Sequence, residues 1–387
     1  MKTPAVAIFG SGPAALMAAS VLSRSSVRVT LFEKRPSFGR KLLIAGSSGL
    51  NISHDTDLED FVLHYEGFSK EIWRRFFSIF SPQDWIRFVE SLGLETFIGT
   101  SHRYFVKEMK ASGLLRAWRG HLERSGVEFV PNHEWCGFEE LRSFDASGLF
   151  LGGGSWEEEP PRWPDTMARA GVSVLPFQPR NVGYEVSWSQ AFLDEAEGKP
   201  LKNIVLKNAN GQKAGELVIT RYGLEGTPVY FLGQEGAAFL DLKPSMSEAQ
   251  MVTRLSQLKE NLSPIRRVKK SLSLCEASLA LLYHQTHEAT RSDLGGLVRM
   301  VKAFPLEFLR PRPLIEAISS AGGIDLSEVS TEQGSELQLK RFPGVFVGGE
   351  MLNWTAPTGG FLIQGAVTQG AVAAQSILRY LAKATQD

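Results

Sequence analysis

Cysteine is nearly absent from this 387-residue chain, which contains only Cys136 and Cys275. The two lie far apart in the sequence and form no CxxC pair. This argues against a disulfide framework, a thiolate metal site and a dithiol redox relay. We therefore expect no metal centre, and we expect both cysteines to be small buried residues rather than reactive thiols.

The chain also lacks net charge and long apolar runs. Its 42 Lys and Arg residues balance 42 Asp and Glu residues, so nothing global favours nucleic acid or an anionic membrane as a partner. No run of about 18 apolar residues predicts a transmembrane helix, and the apolar stretch at residues 5–9 is too short for a signal peptide. We expect a cytoplasmic protein with no membrane partner, either a monomer or a homodimer.

The stretch from Ala5 to Arg40 predicts a β-α-β unit that holds a dinucleotide. A short apolar strand at residues 6–9 is followed at once by Gly-Ser-Gly-Pro-Ala-Ala at residues 10–15. A helix of small residues comes next, and then a second strand that ends on Glu33. Strand, glycine turn, helix and acid in this order are the fingerprint of a dinucleotide site.

Each position of the glycine turn has a mechanical reason. Gly10 permits the tight turn, Gly12 lets a pyrophosphate approach the backbone, and Ala15 lets helix and strand pack closely. The phosphates would lie at the free N–H groups and the positive end of the helix dipole. Glu33 lies 21 residues after Gly12, about where a carboxylate for the ribose hydroxyls is expected. An ordinary βαβ turn is the alternative, but the matching order and spacing of strand, glycine turn, helix and acid favour the dinucleotide site.

Residues 34–51 predict a loop with exposed backbone donors, because they are rich in glycine, serine and asparagine. Arg40 and Lys41 would add positive charge where a pyrophosphate would lie. A solvated basic loop is the alternative, but its position directly after the ribose acid favours contact with the ligand.

Further along, residues 61–92 and 111–124 have a helical period, and the aromatic residues of the first segment predict core packing. Residues 127–130 predict the next parallel strand of the first sheet. Residues 157–164, rich in glutamate and proline, are interpreted as a rigid acidic connector.

The length of the whole chain favours two or three domains. In the middle of the chain the sequence pattern changes to short strands followed by helices. Residues 204–220 predict a hairpin, Val229–Leu232 a further strand, and residues 247–283 helices. Strands followed by helices between two halves of a nucleotide domain suggest an inserted module. The predicted domains are a nucleotide domain of residues 1–185 and 335–387, a β-rich substrate domain of residues 186–246 and 311–334, and a helical cap of residues 247–310.

A second glycine turn follows near the end of the chain. An apolar strand at residues 342–348 ends in Gly-Glu at residues 349–350, and Thr-Gly-Gly at residues 358–360 opens a helix of small residues. Such a turn would close the site around a long ligand, although a purely structural βα turn is the alternative.

These motifs resemble the two-dinucleotide-type flavoproteins, in which an N-terminal GxGxxA turn with a ribose acid is completed by a C-terminal strand ending in Gly-Asp or Gly-Glu. A narrower group is similar in order along the whole chain: the bacterial FAD flavoproteins that include aminoacetone oxidase and the BaiN-like bile-acid-pathway flavin reductases. The segments that carry this likeness are residues 39–44 with Asn51, residues 152–156, residues 321–323, and residues 349–352 with 357–360.

The resemblance implies an α/β protein with a Rossmann-like FAD-binding domain formed by both chain ends, an inserted β-rich substrate domain and a small helical domain. Glu33 would bind the adenosine ribose, Glu350 would face the ribityl-phosphate middle, and the second glycine turn would meet the isoalloxazine edge. The expected cofactor-binding residues are Gly10, Gly12, Pro13, Ala14, Ala15, Glu33, Lys34, Arg40, Lys41, Asn51, Gly349, Glu350, Thr358, Gly359, Gly360 and Phe361.

Three departures from the family pattern fall on the flavin and substrate side. Many relatives have a cysteine before the asparagine where this chain has Leu50, and the segment at residues 135–149 looks shorter than usual. The acidic, proline-containing run after Trp156 also replaces a more glycine-rich stretch. These changes leave the expected cofactor unaltered but leave the substrate open.

Because a flavin carries its own redox chemistry, we expect an FAD-dependent oxidoreductase that acts on a small organic substrate by hydride transfer at flavin N5. NAD(P)H or oxygen would be the electron partner. Trp156, Tyr222 and Trp354 are the substrate-side candidates, although each could equally be core. One alternative is a flavin-dependent RNA-modifying protein, suggested only by the basic run at residues 266–270. Another is an FAD-binding scaffold or sensor without turnover.

Overall fold

The protein is described by a computed structural model that covers residues 3–46, 49–258 and 262–384. Its contacts divide the chain into two units, one made of Met1–Gln178 and Ile318–Asp387 and the other of Pro179–Ala317. The chain therefore leaves the first unit once and returns to it once.

The strands, in chain order, are β1 (Ala5–Phe9), β2 (Arg28–Glu33), β3 (Asn51–His54), β4 (Thr96–Ile98), β5 (Arg103–Val106), β6 (Glu128–Pro131), β7 (Ala146–Leu149), β8 (Val174–Arg180), β9 (Tyr184–Glu185), β10 (Pro200–Asn208), β11 (Gly211–Thr220), β12 (Gly223–Glu225), β13 (Gly236–Asp241), β14 (Phe304–Phe308), β15 (Ser319–Ile324) and β16 (Val345–Val347).

The helices are α1 (Pro13–Leu22), α2 (Arg40–Ala45), α3 (Leu58–Leu63), α4 (Lys70–Ile79), α5 (Pro82–Ser91), α6 (Ala111–Arg124), α7 (Trp163–Arg169), α8 (Gln190–Ala196), α9 (Thr227–Leu232), α10 (Glu248–Ser256), α11 (Pro264–Ser271), α12 (Glu276–His284), α13 (Glu288–Ser292), α14 (Leu294–Lys302) and α15 (Phe361–Ala384). Short 3-10 turns occur at Phe138–Ser143, Leu314–Glu316, Leu326–Glu328 and Gly349–Met351.

A five-stranded sheet in the order β16-β7-β1-β2-β6 forms the centre of the first unit. All of its pairings are parallel, and β1 is buried along its whole length, as expected for an apolar strand covered on both faces. Strand β6 pairs with β2, which confirms the strand predicted at residues 127–130. The chain thus has the α/β, Rossmann-like fold that the sequence predicted.

Helices α1 and α15 pack against each other with their backbones close together. A Cβ added at Gly370 of α15 would lie 2.1 Å from the carbonyl oxygen of Ala14 in α1. By length and composition α15 could cross a membrane, but 72% of its apolar window is buried inside the protein, as in a core helix. The small residues predicted for this helix are therefore used for close packing.

Helix α5 packs beside the small antiparallel sheet β3-β5-β4, and α4 packs against α3 and α15. Trp73, Phe76, Phe77 and Trp85 are buried, and the indole N–H of Trp85 donates to the Ile52 carbonyl at 3.1 Å. The expectation that these aromatics form core is confirmed.

The second unit is built on a six-stranded sheet in the order β14-β13-β10-β11-β12-β9. The predicted hairpin is present, with β10 and β11 antiparallel and Asn208 opposite Gly211 at the turn. Buried residues of this sheet and of α10, α11, α12 and α14 belong to one continuous apolar core.

The boundaries of the two units differ from the predicted domains. Residues 318–334 lie in the first unit, where β15 forms a two-stranded sheet with β8. Residues 247–310, predicted as a separate cap, share their core with the sheet of the second unit. The division into a substrate domain and a cap stays a prediction, because shared packing alone does not assign either role.

Two local predictions are wrong. The segment predicted as a loop contains helix α2 and the first residue of β3, because Gly39 adopts the left-handed conformation (φ 69°) and Leu42 is buried. Ser47 and Ser48 of that segment lie outside the described residues. Val229–Leu232, predicted as a strand, belongs to helix α9, which has a proline in its first turn.

The expectation that both cysteines are buried fails for Cys136. Cys136 is exposed, while Cys275 is half-buried. Cys136 precedes a short 3-10 turn, and its N–H donates to the Glu140 carboxylate at 2.6 Å. Its position is therefore set by a surface turn and not by core packing.

Candidate functional site

The first glycine turn connects β1 to α1. Gly10 has φ 100°, and a Cβ there would lie 2.1 Å from the Phe150 carbonyl oxygen, so the turn and the neighbouring backbone require glycine. A Cβ on Gly12 would meet no protein atom within 4 Å. The space beside Gly12 is thus open in the direction from which a ligand would approach.

Glu33 is held at the end of β2 by two donors. The Ser11 hydroxyl donates to one carboxylate oxygen, and the Arg35 N–H donates to the other at 2.9 Å. Ser11 also accepts from the Gly39 N–H at 2.9 Å, so its hydroxyl connects the glycine turn, the acid and the start of α2. Sequence reasoning missed this role because the fingerprint leaves the residue at position 11 free.

Two adjoining cavities start from this turn. The first, of about 100 Å³, is lined by Glu33 and is called here the Glu33 cavity. The second, of about 320 Å³, is lined by Gly360 and is called the Gly360 cavity. Gly12 and Lys41 line both, so the two cavities form one groove between the two glycine turns.

A cluster of cations surrounds Glu157 in the Glu33 cavity. Its carboxylate lies 3.3 Å from Lys34 Nζ, 2.9 Å from Arg35 Nη2 and 3.8 Å from Lys41 Nζ. Burial raises the pKa of this carboxyl, but the positive charges of Lys41 and Lys34 and the bond from Arg35 outweigh it, so the pKa is lowered. Glu157, interpreted from sequence as part of a connector, therefore neutralises the predicted phosphate-side cations.

Glu350 occupies the middle of the groove. Its Oε1 accepts from the Ser320 N–H at 2.8 Å and from the Ser155 hydroxyl at 3.0 Å, and its Oε2 lies 3.6 Å from Lys41 Nζ. A Cβ on Gly153 would come within 2.8 Å of the Glu350 side chain. The glycine segment at residues 152–154 thus lets the chain pass close to this carboxylate.

The second glycine turn forms the far wall. Gly359 and Gly360 have φ of 110° and 98°, and a Cβ on Gly360 would lie 2.5 Å from the Ser53 carbonyl oxygen. Gln364 N–H donates to the Gly360 carbonyl at 3.0 Å, which closes the first turn of α15. The N–H groups of that turn have no acceptor within the helix, so they are available to a ligand.

Most predicted cofactor residues line the groove. The Glu33 cavity is lined by Gly10, Gly12, Glu33, Lys34, Arg40 and Lys41. The Gly360 cavity is lined by Gly12, Pro13, Ala14, Lys41, Asn51, Gly349, Glu350, Thr358, Gly359 and Gly360.

Two predicted residues, Ala15 and Phe361, line neither cavity. Ala15 is fully buried, as its predicted packing role requires, and Phe361 is buried with its ring stacked 4.9 Å from that of His54. The cofactor-binding role of Phe361 finds no geometric support, because its side chain is part of the aromatic core.

The three substrate-side candidates are placed differently. Trp156 lines the Gly360 cavity, and its carbonyl accepts from Arg40 Nη1 at 2.7 Å. Trp354 also lines it, with its indole N–H donating to the Gly349 carbonyl at 2.7 Å. Tyr222 lies in the second unit and in neither lining, with its hydroxyl donating to Glu225. Arg103, which the sequence did not single out, lines the Gly360 cavity.

A parallel sheet with a glycine turn after its first strand and an acid at the end of the second defines a Rossmann-type dinucleotide-binding protein. The family model described as "HI0933-like protein Rossmann domain" matches residues 4–376, so the chain belongs to this family of FAD-binding flavoprotein oxidoreductases. The narrower likeness to aminoacetone oxidase and the BaiN-like reductases stays a prediction.

Three solved structures are similar over most of the chain. A flavocytochrome c3 fumarate reductase in an open conformation is 16% identical with a TM-score of 0.47, covering 98% of this chain and 79% of its own. The 3-ketosteroid-delta4-(5alpha)-dehydrogenase of Rhodococcus jostii RHA1 is 11% identical with a TM-score of 0.48, covering 96% of both chains. Mycobacterium smegmatis Sdh1 is 12% identical with a TM-score of 0.45, covering 99% of this chain and 69% of its own. Likenesses this low carry no argument about activity.

Proposed function

We propose that this protein is an FAD-dependent oxidoreductase that acts on a small organic substrate, with NAD(P)H or oxygen as the electron partner. The observation that carries the proposal is the continuous groove between the two glycine turns. One end presents a buried carboxylate, the middle presents Lys41, and the far end presents a helix start. A ligand with a ribose, a pyrophosphate and a large aromatic ring would match this order.

The residues present fit an adenine dinucleotide. The open space beside Gly12 would admit a pyrophosphate to backbone contact distance, and the N-terminus of α1 would face its negative charge. Glu33 would accept from the ribose hydroxyls, because Ser11 and Arg35 already fix the orientation of its carboxylate. Glu350, fixed by Ser320, would accept from hydroxyls in the middle of the cofactor.

The cations of the groove would pair with Glu157 and would also attract the pyrophosphate. In the described structure Lys34, Arg35 and Lys41 are balanced by Glu157. A pyrophosphate near Lys41 would bring further negative charge, so Glu157 would limit the affinity of the site and Lys41 would increase it. The cofactor affinity would therefore depend on the balance between the negative charge of Glu157 and the positive charge of Lys41.

When bound, the cofactor supplies hydride transfer at its N5 atom, which no side chain can provide. The protein binds and orients the ring. Thr358 and Gly359 would hold the ring at the start of α15, whose free N–H groups would stabilise the negative charge that reduction brings. Trp156 and Trp354 line the Gly360 cavity with apolar surface, which would exclude water from the ring end of the groove.

The test begins with the purified protein. We expect a yellow protein that releases FAD and not FMN on denaturation, because the Glu33 end suits an adenosine. Anaerobic mixing with NADH and with NADPH should bleach the flavin if a nicotinamide is the electron donor, and air should then restore the colour. A colourless protein that cannot be reconstituted with FAD would refute the proposal.

A flavin that neither nicotinamide reduces, and that no added substrate bleaches, would favour the scaffold or sensor alternative. The cytoplasmic location, the lack of a membrane or nucleic-acid partner and the oligomeric state stay predictions.

A further inference from the structure

One of the three ionisable side chains that line the Gly360 cavity has no partner. Lys41 and Glu350 lie 3.6 Å apart and balance each other. The guanidinium of Arg103 makes no hydrogen bond or ion pair with any residue that the structure describes. A cation that is partly withdrawn from water without a counter-charge is unfavourable. The cavity wall therefore holds a positive charge that the protein itself leaves unbalanced.

The backbone fixes where this charge lies. Arg103 is the first residue of β5 and pairs with His54 of β3 in the antiparallel ladder. A Cβ on Gly359 would lie 3.1 Å from Arg103 Nε, so the glycine turn leaves the space that the guanidinium uses. Arg103 is half-buried and stands against this turn at the wall of the cavity.

The electrostatics around Arg103 agree with an unbalanced cation. Burial lowers its pKa, and no opposing contribution raises it. Burial also lowers the pKa of His54, and the positive charge of Arg103 lowers it further. The negative charge of Asp55 raises the pKa of His54 and offsets part of this effect, but the lowering contributions outweigh it. The Asp55 carboxylate lies 3.9 Å from His102 Nδ1 on the surface and forms no ion pair with Arg103. The field at this end of the cavity is therefore positive.

Most other side chains of this cavity are apolar. Its lining includes Leu42, Leu50, Ile318, Trp354, Leu362 and Ile363. A ligand that fits such a wall carries an apolar body, and the single free cation selects a negative group at one end.

We propose that Arg103 binds the carboxylate of the substrate, and that the substrate is a small organic anion with an apolar body. The planar guanidinium would donate two parallel N–H bonds to the two carboxylate oxygens, a geometry that a lysine cannot reproduce. This inference rests on the proposed function, since it names the substrate class of the same cavity. The rival role for Arg103 is contact with the cofactor ring, which would change the reduction potential of the flavin.

The test compares matched pairs of charged and neutral ligands on the FAD-loaded protein. Benzoate and butyrate are titrated beside benzamide and butyramide, with the flavin absorbance as the readout. Isothermal calorimetry with the same ligands provides a second readout that needs no flavin. The variants are Arg103→Gln, which removes the charge, and Arg103→Lys, which keeps it. Arg142→Gln is the control, because it removes an exposed cation whose ion-pair partner among the described residues is Glu139.

We expect the parent and Arg142→Gln to bind at least one carboxylate at least tenfold more tightly than its amide. Arg103→Gln should lose that preference while keeping its affinity for the amide, and Arg103→Lys should recover part of it. Arg103→Lys keeps the charge beside Gly359, so the potential of its flavin should stay at the parent value.

Three results would overturn the inference. In the first, the parent binds no carboxylate more tightly than its amide. In the second, the Arg103→Gln variant keeps the carboxylate preference. In the third, the flavin potential of Arg103→Gln is lowered while its carboxylate preference is unchanged. A parent that cannot be reconstituted with FAD but still shows the carboxylate preference by calorimetry would refute the proposed function and leave the anion site standing.

Discussion

Gly12 of the first glycine turn and Gly360 of the second are glycine for different reasons. At the first turn, a Cβ on Gly12 would meet no protein atom within 4 Å, so the empty space is left for a ligand. At the second, a Cβ on Gly360 would lie 2.5 Å from the Ser53 carbonyl oxygen, so the protein's own packing requires glycine. A motif glycine therefore indicates ligand contact only where the space beside it is open.

The two ends also differ in charge. Around the first turn, each cation of the cluster has Glu157 as a partner, and Lys41 has Glu350 as well. Around the second turn, Arg103 has no counter-charge among the described residues. Arg40, which also lines the Glu33 cavity, has no ion pair among the described residues either, but its guanidinium donates to the Trp156 carbonyl at 2.7 Å. The Arg103 guanidinium has neither kind of partner among those residues.

The largest expected effect comes from Gly360→Ala. Its added methyl group would collide with backbone and would require φ near 98°, so the apoprotein should lose about 3 kcal/mol of unfolding free energy. Urea unfolding measures this loss. Gly126→Ala is the control, since Gly126 has φ 80° but open space around its Cβ, and its loss should be about 1 kcal/mol. Equal losses in the two variants would contradict a packing requirement at Gly360.

Gly12→Glu should show the opposite pattern. A Cβ at Gly12 would meet no protein atom within 4 Å and the residue lines both cavities, so we expect the urea midpoint to stay near that of the parent. Its bulk and negative charge would occupy the phosphate position, and FAD affinity should fall about 100-fold, or about 2.7 kcal/mol. Fluorescence titration of apoprotein with FAD measures the affinity, and Gly12→Ala should lose less. A variant that binds FAD as the parent does would place the pyrophosphate elsewhere.

Glu33→Ala should weaken FAD by about tenfold or more, because a hydrogen bond to a charged group contributes about 1.5–3 kcal/mol. Glu33→Gln, which keeps the shape and loses the charge, should fall between the parent and the alanine variant. The same FAD titration serves here. If affinity is unchanged in both variants, Glu33 does not bind the ribose.

Thr358→Glu should lower the reduction potential of the flavin. Thr358 lines the Gly360 cavity, and a carboxylate there would disfavour the negative charge that reduction places on the ring. We expect a drop of about 30 mV, equal to about 1.4 kcal/mol for a two-electron couple. A dye-coupled titration of FAD-loaded protein measures it, with Thr358→Gln as the neutral control. A glutamate at Gly360 would test the same idea less cleanly, because the turn itself would shift.

The smallest effect is expected for Glu157→Gln and depends on pH. The pKa of Glu157 is lowered in the folded protein, so its contribution to stability is present above the ordinary glutamate value of about 4.5. That contribution is lost as the pH falls through the lowered pKa. At pH 7 we expect the variant to be less stable by about 1 kcal/mol, with the difference closing at acidic pH. Urea unfolding across pH measures this, and exposed Glu158→Gln should show no such difference.

The fold around the first turn could be predicted because its signals are local. The spacing from Gly10 to Glu33 specifies a strand, a turn, a helix and a strand without reference to any other part of the chain. Helix α2 could not be predicted in the same way, because the burial of Leu42 depends on packing that the local sequence does not show. Val229–Leu232 was misread because a four-residue apolar run fits a buried helix as well as a strand.

The groove could be predicted in part for the same reason. Residues that belong to a motif, such as Gly12 and Glu33, were identified, whereas Ser11, Ser320 and Arg103 were not. Ser320 reaches Glu350 through a contact between distant segments, and Arg103 reaches the second turn through the pairing of β3 with β5. Such contacts between distant segments cannot be predicted from the spacing of residues in the sequence.

The close approach of Gly370 to Ala14 has a consequence for how the molecule is made. Strand β1 and helix α1 leave the ribosome first, at roughly 5–20 residues per second, and α15 follows only after the whole second unit. Until then the apolar residues of α1 that α15 covers lack their partner. A nascent chain halted before residue 361 would carry the complete fingerprint and still have no far wall for its groove. We therefore expect the cofactor to bind stably only after α15 has been made.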